Sequence, residues 1–129
     1  MSDSIVNEII ETRLNDNWAL TPIDWDNIRY VPNQGEAFIT PIISNVSSNI
    51  KAFRCSEELY TLIIEVRVKD NTGLKVISSY CDTLKNLFVG YTEGNFRCVK
   101  GYIQRIGKAG KWYQKNVVFE CRYKQLIIN

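Results

Sequence analysis

The sequence predicts an α+β domain in which two helices pack on a mainly antiparallel sheet of about four strands, in the order α-β-β-α-β-β. Three observations predict it. In Leu59–Lys69 (LYTLIIEVRVK) the even positions Tyr60, Leu62, Ile64, Val66 and Val68 are apolar, while the odd ones drift to Glu65, Arg67 and Lys69. That period of two marks a strand with one buried face. After Asp70-Asn71-Thr72-Gly73 the period changes: Leu74, Ile77, Tyr80/Cys81, Leu84 and Leu87/Phe88 recur every three or four residues, one stripe of a helix. Finally, Phe96–Ile106 and Lys111–Ile127 flank Gly107-Lys108-Ala109-Gly110, a short loop with two glycines that signals a hairpin.

From the start of the chain, Ser2-Asp3-Ser4 offers N-cap side chains, and Asp3 and Glu8 suit the positive end of a helix dipole. Ile5/Val6, Ile9/Ile10, Arg13/Leu14 and Asn17/Trp18 follow at helical spacing, so a first helix covers about Asp3–Asn17. The next stretch, residues 18–32, cannot be helical through Pro22, and Thr21 before it is pushed towards an extended conformation. Trp25, Ile28 and Tyr30 favour burial, so this stretch is expected to lie on the body. Gln34-Gly35-Glu36 makes a turn into a short strand, Ala37–Ser44, where Pro41 argues for an edge or a bulge. Asn45–Lys51 (NVSSNIK) reads as a polar loop, with Glu57 and Glu58 leading into the long strand. The second helix spans about Leu74–Phe88 and stops at Val89-Gly90. On the last strand Val117, Phe119, Cys121 and Tyr123 share one face, and Glu120, Arg122 and Lys124 the other.

The 129 residues fit one domain, with 45% hydrophobic and 23% charged residues, ordinary globular values. No apolar run approaches the ~18–20 residues of a membrane span, and MSDSIVNEII lacks a signal-peptide pattern. The expectation is a soluble protein made in a cytoplasm. Cys55, Cys81, Cys98 and Cys121 form no CxxC pair and the chain has no histidine, so no zinc spacing is present. They are expected as buried free thiols.

Chemistry is hard to place. Without histidine, the commonest general base and nucleophile activator is missing. Asp24 with Asp26, or Glu57 with Glu58, are carboxylate pairs of a kind usually found in solvated loops, and Gly107-x-x-Gly110 lacks the remainder of a phosphate loop. No enzyme, cofactor or metal is expected. Charge, by contrast, is segregated despite a net +2. Residues 1–40 carry Asp3, Glu8, Glu11, Asp16, Asp24, Asp26 and Glu36 against Arg13 and Arg29. Residues 97–124 carry eight Lys and Arg residues against Glu120 alone. Such ends suit nucleic acid or a second copy of the chain. The basic, aromatic stretch Lys100–Lys115 could follow a phosphate backbone, but Trp112 and Tyr113, adjacent on a strand, must point to opposite faces and make a poor stacking platform. A head-to-tail homo-oligomer, acidic end on basic hairpin, explains more.

Several of these segments, taken in order, resemble the tail terminator (tail completion) proteins of long-tailed bacteriophages. The similar features are a short N-terminal helix with a small-residue or acidic start and the linker Thr21-Pro22-Ile23-Asp24-Trp25-Asp26-Asn27. They continue with Gly35-Glu36-Ala37-Phe38-Ile39, the long strand with its helix, and the Gly107–Tyr123 hairpin with Trp112-Tyr113. The resemblance runs over roughly residues 3–125, in order and spacing more than in any one residue; few alanines and four cysteines set this chain apart from many relatives. It implies a non-enzymatic virion protein that forms a ring, commonly a hexamer, on the finished tail tube. Such a ring stops polymerisation of the major tail tube protein and presents a surface to a neck or head-completion protein. DNA passes through the ring without specific recognition. No catalytic residue carries over. By position, subunit contacts are expected at Lys108, Lys111, Trp112 and Tyr113 of the hairpin and at Trp25 and Tyr30 of the linker, with tube contacts in the loop Asn45–Lys51. The rival within the same particle is a neck or head–tail adaptor, and outside it a small nucleic-acid-binding module.

Overall fold

The computed structural model describes residues 2–25, 37–52, 55–69 and 72–126. Helix α1 (Ser2–Asn17) is followed by strands β1 (Phe38–Ala52) and β2 (Cys55–Lys69), helix α2 (Leu74–Phe88), and strands β3 (Thr92–Glu93), β4 (Phe96–Ala109) and β5 (Trp112–Leu126). The strands form one antiparallel sheet in the order β1-β2-β5-β4-β3. The α+β class and the order of long elements follow the sequence reading, with the two-residue β3 as an added fifth strand.

β2 sits at the centre because its two faces suit different neighbours. Tyr60, Leu62, Ile64, Val66 and Val68 are all at most 2% exposed. Opposite them in register stand Cys121, Phe119, Val117, Lys115 and Tyr113 of β5, so the apolar positions of both strands share one face. Both helices lie on that face. α1 contributes Val6, Ile10 and Leu14, continued by Trp18; α2 contributes Ile77, Cys81, Leu84 and Phe88. Each set recurs at i, i+3 or i+4, which keeps it on one stripe. Leu74, assigned to the α2 stripe from sequence, is instead exposed in the helix's first turn, before the stripe reaches the sheet.

Arg13 ties the helices together: its guanidinium donates to the Leu87 carbonyl at 2.9 and 3.2 Å and lies 4.1 Å from the Tyr91 ring centroid. A cation at the carbonyl end of α2 also complements that helix's dipole. Behind α2, Gly90 adopts φ 79, a left-handed conformation that turns the chain towards β3.

Two corrections concern β1 and the hairpin. β1 continues through Asn45–Lys51, predicted as a loop, because that polar segment pairs with Glu57–Leu59 and their neighbours on β2. Glu57 and Glu58 accordingly lie within β2 rather than ahead of it. The hairpin turn is also tighter than predicted: β4 runs to Ala109 and β5 starts at Trp112, leaving Gly110-Lys111 between them. Pro41 does fall on an edge strand, as its missing N–H requires.

Candidate assembly surfaces

The sequence points to the hairpin tip, and the structure places Lys108, Lys111, Trp112 and Tyr113 together there. Lys108 and Lys111 are exposed, but the aromatics are partly committed to their own chain. Trp112 meets the Phe38 ring edge-to-face, with centroids 5.2 Å apart and planes at 89°. Tyr113 faces the helix side, and its hydroxyl accepts from Arg105 Nε at 3.2 Å. The opposite pointing of the pair is as the strand geometry predicts. Trp25 is half-buried against the core, beside the Ile23–Ile39 bridge. Tyr30 lies outside the described residues. The start of β1 thus draws both predicted regions in: Asp24 N–H donates to the Ile39 carbonyl at 2.7 Å, and Phe38 next to it receives Trp112.

The face without helices is polar and internally paired. Arg67 donates to Glu65 at 3.0 Å and to Thr40 at 3.3 Å, Thr40 donates to Asp24 at 3.2 Å, and Gln114 donates to Asn116 at 2.8 Å. Glu57 draws Arg97 at 3.5 Å and Arg122 at 3.6 Å. Lys115, on the helix face, donates to Ser78 at 3.2 Å. Several of the C-terminal cations are therefore engaged within the molecule; Lys100, Arg105, Lys108 and Lys111 are the exposed basic residues along β4 and its turn, Arg105 also bonding to Tyr113.

β4 holds the feature that sequence reasoning missed. Beyond its short pairing with β3, which ends at Arg97, no strand among the described residues lies along its outer edge. Along it, Val99 (43%), Tyr102 (51%), Ile103 (36%) and Ile106 (46%) are exposed. Tyr102 stands opposite Val118 and Ile103 opposite Val117, so the apolar exposure occurs on both faces. The available signal was the segment VKGYIQRIGK, where apolar residues fail to alternate cleanly with polar ones. α1 turns Glu8, Glu11 and Asp16 outward, while Arg13, its one base, is directed to α2.

Cys81, Cys98 and Cys121 are buried free thiols of the core; the side chain of Cys55 lies outside those described. Cys81 is pushed up from 9.0 to about 11 by burial, partly offset by the nearby Lys115 charge. Cys98 and Cys121 face each other across β4 and β5 with sulfurs 3.1 Å apart, and this hydrogen bond, followed by burial, pushes the Cys121 thiol far up. Thiols so held are poor nucleophiles. Among the described residues no three Cys, Asp or Glu side chains are grouped so as to hold a metal, and no helix is long and apolar enough to cross a membrane.

No protein-family profile and no curated protein matches the sequence. Solved structures do share the fold. One, a protein whose name carries no function, aligns with a TM-score of 0.72 at 13% identity, over 100% of this chain and 99% of its own. Another is a chain in the virion of a native gene transfer agent particle, with a TM-score of 0.63 at 15% identity, over 89% of this chain and 91% of that one.

Proposed function

We propose that this chain is a structural virion protein that caps a phage tail tube as a ring. In that role it ends tube polymerisation and offers the docking surface for the head or neck connector, with no catalysis. The observation that carries this reading is the fold shared, over most of both chains, with a component of a gene transfer agent virion. Segregated charge supports it: an outward acidic α1 and a basic β4 on one small body suit repeated head-to-tail contact between copies. The partners are other copies of the chain, the major tail tube protein, and a neck or head-completion protein; the site is the head-proximal end of the tail.

Adding the protein to polymerising tail-tube subunits tests the reading. A terminator limits tube length and is found at one tube end. An adaptor of the neck, the second reading compatible with the same virion fold, leaves tube length unlimited. Light scattering on the isolated protein should give a defined oligomer that grows in with concentration. The nucleic-acid reading is weakened by Trp112, whose ring edge-packs on Phe38 and is not free to stack on a base.

A further inference from the structure

We infer that the open edge of β4 is one half of the contact between copies, and that the outer face of α1 on a second copy is the other half. This deepens the ring reading and rests on it.

A strand edge exposed along its length is a template for association, and monomeric proteins blunt it with proline, charge or a covering segment. The other edge of this sheet is treated that way: β1 carries Pro41, and residues Pro22–Asp24 bond to Ile39 beside it. β4 is covered only as far as Cys98, whose N–H and carbonyl bond to Tyr91 and Gly90. Past that point it offers Tyr102, Ile103 and Ile106 to solvent, the residue types that anchor interfaces when a partner excludes water from them.

Charge identifies the occupant. β4 contains Arg97, Lys100, Arg105 and Lys108 and no acidic residue. α1 contains Asp3, Glu8, Glu11 and Asp16, and its single base is turned inward onto the Leu87 carbonyl. Within one molecule the two do not neutralise each other: among the described residues Glu8, Glu11 and Asp16 form no ion pair with β4. Their reach also matches. The 16 residues of α1 extend about 24 Å, and β4 from Val99 to Ile106 extends about 23 Å. Exposed Ile5 at the start of α1 adds an apolar contact to the charged ones. Because the two surfaces lie on different elements of one chain, a pair leaves α1 free on one copy and β4 free on the other, so the contact repeats and closes into a ring when the rotation permits.

Light scattering over a concentration series on the full chain tests this with two charge reversals and their combination. Lys100→Glu with Arg105→Glu, or Glu8→Lys with Glu11→Lys, should each weaken self-association by at least about tenfold, since each juxtaposes like charges. All four substitutions in one chain should restore it. Thermal melts should show each variant folded, because every altered side chain is exposed. Wild-type assembly should also weaken with salt. If both reversals weaken assembly but the combination fails to restore it, α1 is not the occupant. If either reversal assembles like wild type, the pairing is overturned while the ring reading stands. A wild-type chain that stays monomeric at every concentration instead overturns the ring reading itself, and this pairing with it.

Discussion

On one face of the sheet, β2 sets five apolar side chains beneath two helices, each at most 2% exposed. On the opposite face the same strand sets Thr61, Ile63, Glu65 and Arg67, all half-buried, among hydrogen bonds that run through Thr40 and Asp24. The first face excludes water and supplies the hydrophobic term that holds the domain together. The second is a polar layer that is only partly wet, with Thr40, Glu57, Gln114 and Asn116 buried in it and held by hydrogen bonds and ion pairs. Substitutions are therefore tolerated unevenly: charge can be rearranged at exposed positions of the β4 edge with little effect on folding, but not at buried Glu57. Such a surface can be shaped for partners.

Four measurements test that contrast. Phe119→Ala removes a fully buried ring at the centre of the covered face, packed 5.3 Å from Phe88, and should cost about 3–5 kcal/mol in denaturant unfolding. A smaller loss would mean the helices pack loosely. Gly101→Ala should cost about 1–3 kcal/mol, because the added methyl would meet Val89 at 2.8 Å and Phe119 at 2.9 Å. Third comes pH. Cys81 ionises at about 9 when unfolded and about 11 when folded, so between those values the native state binds more protons. Through Cys81 alone, stability should therefore fall as pH rises from 9, by about 1 kcal/mol at pH 10. Cys121, also pushed up, acts in the same sense, so a Cys81→Ala variant should show a shallower slope rather than none. The smallest effect belongs to the open edge: Tyr102→Ser should change monomer stability by no more than about 0.5 kcal/mol. A loss as large as that of Gly101→Ala would show that Tyr102 is a packing residue after all.

Much of this architecture was readable from one chain. Leu62, Ile64 and Val66 alternate too strictly to be anything but a strand, and Ile77, Cys81 and Leu84 recur at helical spacing, so local periodicity and tertiary packing agree there. Asn45–Lys51 misled because its strand state is imposed by pairing with β2, and strand preference depends heavily on such neighbours. Trp112 shows the same limit at the candidate site. Its exposure is decided by Phe38, far away in the chain, and no local pattern reports that encounter. Charge segregation was visible in the sequence. Which cations are engaged was not, because Glu57 gathers Arg97 and Arg122 only once β2, β4 and β5 lie side by side.

The position of β2 also governs how the molecule is made. It emerges from the ribosome well before β5, yet it pairs with β5 along its full length, from Cys55 with Leu126 to Lys69 with Trp112. The β4–β5 hairpin closes locally and early, whereas docking it onto β2 must overcome the entropy of a long intervening loop. Until that docking, β2 presents a sticky apolar stripe to other nascent chains. Folding is thus expected to be late and all-or-none, and a chain that exposes this stripe at high concentration is prone to aggregate before docking.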